Sequence, residues 1–223
     1  MVRRSRIAVR FDVKTLGTRL VALGNLFITS PTLRIAAGVA AMALAACASS
    51  PVTLVALPPP AESAPIAAPG TQGTVLLREV TLPQYLDSFP VLVGRRGNVL
   101  LMSDNTEWAE RLPVSATRVL RDALSQRLGP SRILLAGERG PADAELAIEF
   151  MALDPGESGL NLDARWHLSC RAAGRSNRGG RIRLQAALES ARPAAVASAT
   201  TDALARLAAA LADDLQCDSR SAN

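Results

Sequence analysis

Three segments in the second half of the chain alternate between apolar and polar side chains. They are Asp143–Ala152, Gly159–Ala173 and Arg181–Glu189. In each of them leucine, isoleucine, alanine and aromatic residues recur at every second position, with polar or charged residues between them. Successive side chains of a strand point to opposite faces, so the alternation predicts a sheet with one buried and one solvated face. Such a sheet is typical of antiparallel pairing.

Two longer segments predict amphipathic helices. The first begins at Pro113 and ends before Gly129, and the second covers about residues 193–216. Both carry leucine and alanine at spacings of three and four, which places them on one helical face. Phe89–Val93 and Asn98–Met102 flank a Gly-Arg-Arg-Gly sequence and predict a hairpin. The expected fold class is α+β, an antiparallel sheet with two amphipathic helices packed on one face.

The leader resembles a bacterial lipoprotein signal peptide. An apolar run over residues 35–46 follows Arg34 and ends in the tetrapeptide Leu-Ala-Ala-Cys, whose cysteine is Cys47. About a dozen apolar residues are too few to span a hydrocarbon core that needs about 20, but they suit the core of a signal peptide. The resemblance predicts cleavage before Cys47 and acylation of this cysteine, with palmitate among the attached chains.

Removal of the leader changes the charge of the chain. The whole sequence has 25 basic and 20 acidic residues, of which residues 1–46 hold 7 and 1, so 18 and 19 remain. A strongly basic protein would suggest nucleic acid as a partner, and the mature chain gives no such reason. The expected organisation is a signal peptide over 1–46, a lipidated Pro/Ala-rich tether over 47–72, a folded domain over 73–218 and a tail over 219–223.

The expected tether is rich in proline. The run Pro58-Pro59-Pro60 favours extended, semi-stiff backbone. A segment of this kind would lift the folded domain off the membrane. The apolar run Val52–Leu57 interrupts it and predicts a short edge strand.

Two further cysteines predict a disulfide. Cys170 lies on the apolar face of its strand, and Cys217 follows the final helix, which is expected to cover that face. With Cys47 acylated, these are the other two of the 3 cysteines, and the periplasm is oxidising. A Cys170–Cys217 bond is therefore expected, and two separate small apolar residues are the alternative. Thiol counting on denatured, unreduced protein distinguishes the two.

Three motifs resemble one family of lipoproteins. They are Val80–Asp87 (VTLPQYLD), the pair Arg95-Arg96 followed by glycine, and Glu107–Leu112 (EWAERL). At this spacing they resemble the paraquat-inducible protein C (PqiC, YmbA-type) lipoproteins, within the wider group of ABC-type transport auxiliary lipoproteins. The chain departs from the family pattern at Arg111, where proline is usual, and at Ser88-Phe89-Pro90, which is one residue longer.

The resemblance implies a role without catalysis and without a cofactor or metal. Such lipoproteins are similar to outer-membrane-anchored, periplasm-facing partners of proteins with mammalian-cell-entry domains (PqiB-like), which form channels for lipids between the two membranes. The implied contacts are this channel protein, the membrane through the lipid anchor, and phospholipid. The lipid, the direction of transport and the number of subunits, including a homo-oligomer, stay open.

Four residues are candidates for contact with the partner: Tyr85, Arg95, Arg96 and Trp108. Aromatic and arginine side chains are enriched at binding hot spots. The alternative is that Trp108 packs where the helix begins and that the arginines form a solvated turn.

A basic cluster could also meet anionic lipid head groups; it consists of Arg171, Arg175, Arg178, Arg181 and Arg183.

Other functional classes have less support. The chain has one histidine, His167, and no Gly-x-Ser-x-Gly elbow for a serine nucleophile. It also lacks a Cys/His cluster with the spacing of zinc ligands. An accessory lipoprotein of lipopolysaccharide assembly or secretion, and a structural envelope lipoprotein, remain as alternatives.

Overall fold

The computed structural model describes residues 51–62, 73–129, 132–171 and 177–215. These stretches contain eight strands and two helices. The strands are β1 (Thr53–Val55), β2 (Val75–Leu77), β3 (Pro90–Arg96), β4 (Val99–Trp108), β5 (Ile133–Leu135), β6 (Ala144–Gly156), β7 (Gly159–Cys170) and β8 (Arg178–Ala186). The helices are α1 (Leu112–Leu128) and α2 (Pro193–Ala212).

The strands form two mixed sheets. The first has the order β1-β4-β3, in which β1 runs parallel to β4 and the β3–β4 hairpin is antiparallel. The second has the order β5-β2-β6-β7-β8, in which β2 runs parallel to both of its neighbours. The three alternating segments are β6, β7 and β8, and they pair antiparallel as predicted.

The α+β class is confirmed, but the expectation of one purely antiparallel sheet is wrong. The strands that pair in parallel include β1, β2 and β5, each of which has three residues. A strand of that length is too short to show a period of two. β2 is the continuous apolar run Val75–Leu77, with Leu77 fully buried, which is typical of a strand between two parallel neighbours.

The two helices pack against each other and against the sheets. α1 also contacts β5, and α2 contacts β8, β7, β3 and β1. Leu204, Leu207 and Leu211 of α2 are fully buried. Among the described residues, α2 is the one helix long and apolar enough to cross a membrane, yet 56% of that stretch is buried. Its contacts with four strands make it a core helix.

The packed region begins before residue 73, where the sequence predicts the domain to start. β1 forms the predicted edge strand and pairs through Val55 with Trp108. Leu57 belongs to the core with 6% exposure, and the Thr201 hydroxyl donates a hydrogen bond to the carbonyl of Pro58 at 3.0 Å. Residues 53–58 are therefore part of the fold and not of a tether.

Candidate docking site

Tyr85, Arg95 and Asp154 form one hydrogen-bonded cluster. Tyr85 lies in the loop before β3, Arg95 near the end of β3, and Asp154 near the end of β6. The Tyr85 hydroxyl donates to Asp154 Oδ1 at 2.9 Å, and Arg95 Nη1 donates to Oδ2 at 2.5 Å. The Arg95 guanidinium carbon is 6.0 Å from the centroid of the Tyr85 ring, at the outer range of a cation–π contact. Asp154 thus holds two of the predicted contact residues together.

The charges in this cluster stabilise one protonation state. Burial raises the pKa of Tyr85 to about 12, and the hydrogen bond and negative charge of Asp154 act in the same direction. The hydrogen bond to Asp154 raises the pKa of Arg95. At neutral pH the tyrosine is therefore a neutral donor, and the arginine and aspartate form an ion pair.

Replacing Asp154 by asparagine is expected to lower the pKa of Tyr85. Tyr85 is the only tyrosine in the chain, so absorbance titration of tyrosinate reports this cluster alone. We expect a midpoint near 12 in the wild type and a lower midpoint in Asp154→Asn, because the amide carries no negative charge. The stability that the raised pKa contributes is complete below the unfolded pKa of about 10 and is lost as pH rises towards the folded value.

Glu157→Gln is the matched control for this titration, because it removes an exposed carboxylate three residues away. The control is expected to titrate like the wild type. An unchanged midpoint in Asp154→Asn would contradict the assigned contact.

Arg96 and Val99 face each other across the turn of the β3–β4 hairpin. Both side chains are exposed, Val99 to 60%. Among the described residues Arg96 makes no ion pair. The turn uses Gly97 at φ +57°, a left-handed conformation that glycine adopts without strain. The hairpin end therefore presents a cation beside an exposed apolar side chain.

A groove of about 340 Å³ separates this hairpin from two neighbouring segments. Its walls come from the hairpin, the turn between β6 and β7, and the segment that follows β8. Arg95 and Arg96 lie on one wall, and Glu157 and Glu189 lie on the others. The groove is thus a surface of mixed charge beside the Tyr85 cluster.

Trp108 lies in the core and is not accessible to a partner. Its exposure is 5%, and its backbone N–H donates to the carbonyl of Phe89 at 2.8 Å. The same inner region contains Leu112, Leu153 and Leu160, which with Trp108 line a small, partly open cavity of about 10 Å³. The predicted partner contact is therefore wrong for Trp108, and packing at the start of α1 explains its position.

The family motifs contact each other at the start of α1. Arg111 donates to both carboxylate oxygens of Asp87, at 2.6 and 3.2 Å. The hydrogen bond to Asp87 raises the pKa of Arg111. Arg118 pairs with Glu110 in the same region. Arg111, which stands where the family usually has proline, thus ties the loop before β3 to the helix.

Most of the predicted basic cluster is paired with acidic side chains. Arg181 donates to both oxygens of Asp163 at 2.7 and 2.6 Å, and Arg183 adds a third bond at 3.2 Å. The hydrogen bond from Arg181 is the main cause that lowers the pKa of Asp163 to about 2. Arg171 lies 3.7 Å from Glu145, Arg178 also has a partner, and Arg175 lies outside the described residues. These pairs remove much of the positive charge that lipid contact would need.

Cys170 ends β7 beside Ala144 and is disulfide-bonded. Cys217, its predicted partner, and Cys47, the predicted acylation site, lie outside the described residues. The Cys170–Cys217 pairing and the acylation stay predictions. Within the described stretches, no group of three histidine, cysteine or acidic side chains has the arrangement of a metal site.

Comparison with known proteins identifies a family and a fold. The family described as ABC-type transport auxiliary lipoprotein component matches residues 55–212. A crystal structure of an uncharacterized protein has a TM-score of 0.60 at 15% identity, covering 75% of this chain and 100% of the other. A Xanthomonas campestris protein of the DUF330 family has a TM-score of 0.56 at 17% identity, covering 72% and 92%. Among curated proteins, none matches significantly. These two structures are similar in fold, and at such identities the similarity does not assign function.

Proposed function

Because the chain belongs to the family of ABC-type transport auxiliary lipoprotein components, we propose that it is the membrane-anchored docking subunit of an intermembrane lipid transport system. In this proposal Cys47 carries the lipid anchor in the outer membrane, and the folded domain faces the periplasm. The domain binds the end of a channel protein with mammalian-cell-entry domains. The observation that carries the docking role is the β3–β4 hairpin end, with Arg95 held in place and Arg96 and Val99 exposed.

The hairpin end is preorganised for binding in the absence of a partner. Asp154 fixes Arg95 through an ion pair at 2.5 Å, and Tyr85 shares the same carboxylate. Ordering an arginine in advance lowers the entropic cost of an interface. Arg96 and Val99 then supply a charge and an apolar contact, so the matching surface on the partner is acidic around a small apolar patch.

The proposed role needs no reaction at this site. The groove is lined by arginine, glutamate and mainly small or apolar side chains. The one histidine of the chain, His167, lies on β7 and is not among the groove residues. Binding is therefore the function that this surface supports best.

Replacing Arg96 by glutamate is expected to lower capture of the channel protein about tenfold, which corresponds to about 1.4 kcal/mol. The substitution places a negative charge against an acidic partner surface and leaves the core unchanged. Arg139→Glu is the matched control, because Arg139 is also exposed but lies in the loop after β5. Capture from cross-linked envelopes and the melting temperature are measured together. Equal capture by wild type and Arg96→Glu, at equal melting temperature, would contradict this docking surface.

A further inference from the structure

The first strand that the structure describes begins close to the predicted anchor along the chain. Five residues separate Cys47 from Thr53, which opens β1. A fully extended chain covers about 3.3–3.6 Å per residue, so this leash of six Cα-to-Cα steps spans about 22 Å at most. β1 is held by its pairing with residues 106–108 of β4, and the backbone N–H of Ala109 donates to the carbonyl of Val55 at 2.8 Å. Acyl chains on Cys47, where the sequence predicts them, would therefore keep β1 near the bilayer surface.

β1 and the residue before it also carry side chains that are unusual for a solvated edge. Val52 is 55% exposed and Leu54 is 62% exposed. β1 is the outer strand of its sheet, and its free edge has no strand partner among the described residues. An exposed apolar edge strand is a liability that proteins ordinarily cover or blunt with charge.

We propose that the outer edge of β1, with Val52 and Leu54, lies against the headgroup region of the membrane that carries the anchor. The proposal rests on acylation at Cys47, which belongs to the proposed function. The bilayer is the proposed contact because the short leash between Cys47 and β1 keeps this strand closer to the membrane than any other described part of the fold. Moving the two side chains out of water stabilises the contact.

One neighbouring charge limits the depth of this contact. Glu107 lies beside Leu54 in the register between β1 and β4, and a carboxylate disfavours entry into the hydrocarbon core. The contact is therefore interfacial and is strongest on zwitterionic lipid. The proline-rich segment after β1 becomes a connection between β1 and β2 and does not set the distance from the membrane.

Fluorescence from position 54 tests the proposal. The acylated mature lipoprotein is prepared as Leu54→Cys, labelled with an environment-sensitive dye, and reconstituted into vesicles of phosphatidylcholine and phosphatidylethanolamine. Met151→Cys is the control, since Met151 is an exposed apolar residue on β6. We expect at least a twofold rise in emission, and quenching by headgroup-labelled nitroxide lipid, at position 54 alone. Equal signals at the two positions would overturn the membrane contact.

Two further measurements separate the causes of a negative result. Flotation of the same sample with vesicles reports anchoring, so protein that floats without quenching overturns the membrane contact and leaves the docking function intact. Protein that does not float overturns acylation at Cys47 and the inference with it.

Insertion of twenty Gly/Ser residues between Ser50 and Pro51 is expected to weaken quenching, whereas the same insertion between residues 62 and 73 is not. Equal effects of the two insertions would contradict the short leash.

Discussion

Replacing Trp108 by alanine is expected to lower the free energy of unfolding by about 3–5 kcal/mol. Trp108 is 5% exposed and ends β4 where β1, β3 and the start of α1 meet. With Leu112 and Leu153 it lines a partly open cavity of only about 10 Å³, so the region is otherwise well filled. Removing the indole enlarges the cavity and exposes no surface that a partner would contact. Urea unfolding measures the effect.

Two variants distinguish this packing role from a binding role. Trp108→Phe keeps most of the volume and is expected to retain capture of the channel protein at a smaller cost in stability. Arg96→Ala is expected to change the free energy of unfolding by less than about 0.5 kcal/mol, as is usual for an exposed site. A Trp108→Ala protein as stable as the wild type would contradict the burial of this side chain.

Replacing Cys47 by alanine is expected to abolish acylation and release the protein from the membrane. One myristoyl chain alone gives only marginal binding, with an association constant of about 10⁴ M⁻¹, and stable anchoring needs more than one chain. The resemblance to bacterial lipoproteins implies several acyl chains on Cys47, so replacing this residue is expected to remove stable anchoring. Metabolic labelling with palmitate and membrane fractionation measure the two effects.

The uncleaved leader requires its own control. The apolar run over residues 35–46 could keep an unprocessed precursor associated with membranes. Mass spectrometry of the N-terminus separates this precursor from the mature protein, and a carbonate wash separates association from insertion. Palmitate incorporation in Cys47→Ala at the level of the wild type would contradict acylation at this residue.

The elements with the clearest signal in the sequence are those long enough to show a period. β6, β7, β8, α1 and α2 each run for nine residues or more. The three-residue strands have no such signal: β5 is only Ile133–Leu135, which any buried segment could contain. The edge strand at β1 was predictable from its apolar run. Its attachment to the core depends on Leu57 and Thr201, which are far apart in sequence.

The candidate site was predictable in part for similar reasons. Tyr85 and Arg95 stand in motifs that resemble the family pattern, and the structure brings them together. Asp154, which joins them, lies 69 residues after Tyr85 and within an Asp-Pro-Gly sequence that predicts a turn. Its strand continues to Gly156 instead. Tryptophan is a residue type enriched at hot spots, but residue type does not report burial. Only the packing around Trp108 shows that it belongs to the core.

Affinity capture of this lipoprotein from cross-linked cell envelopes tests its proposed function most directly. The proteins and lipids that are recovered are identified by mass spectrometry, with Arg96→Glu captured in parallel. We predict recovery of a protein with mammalian-cell-entry domains together with phospholipid, and a lower yield of both with the variant. Recovery of lipopolysaccharide-assembly or secretion components in their place would contradict the role in intermembrane lipid transport.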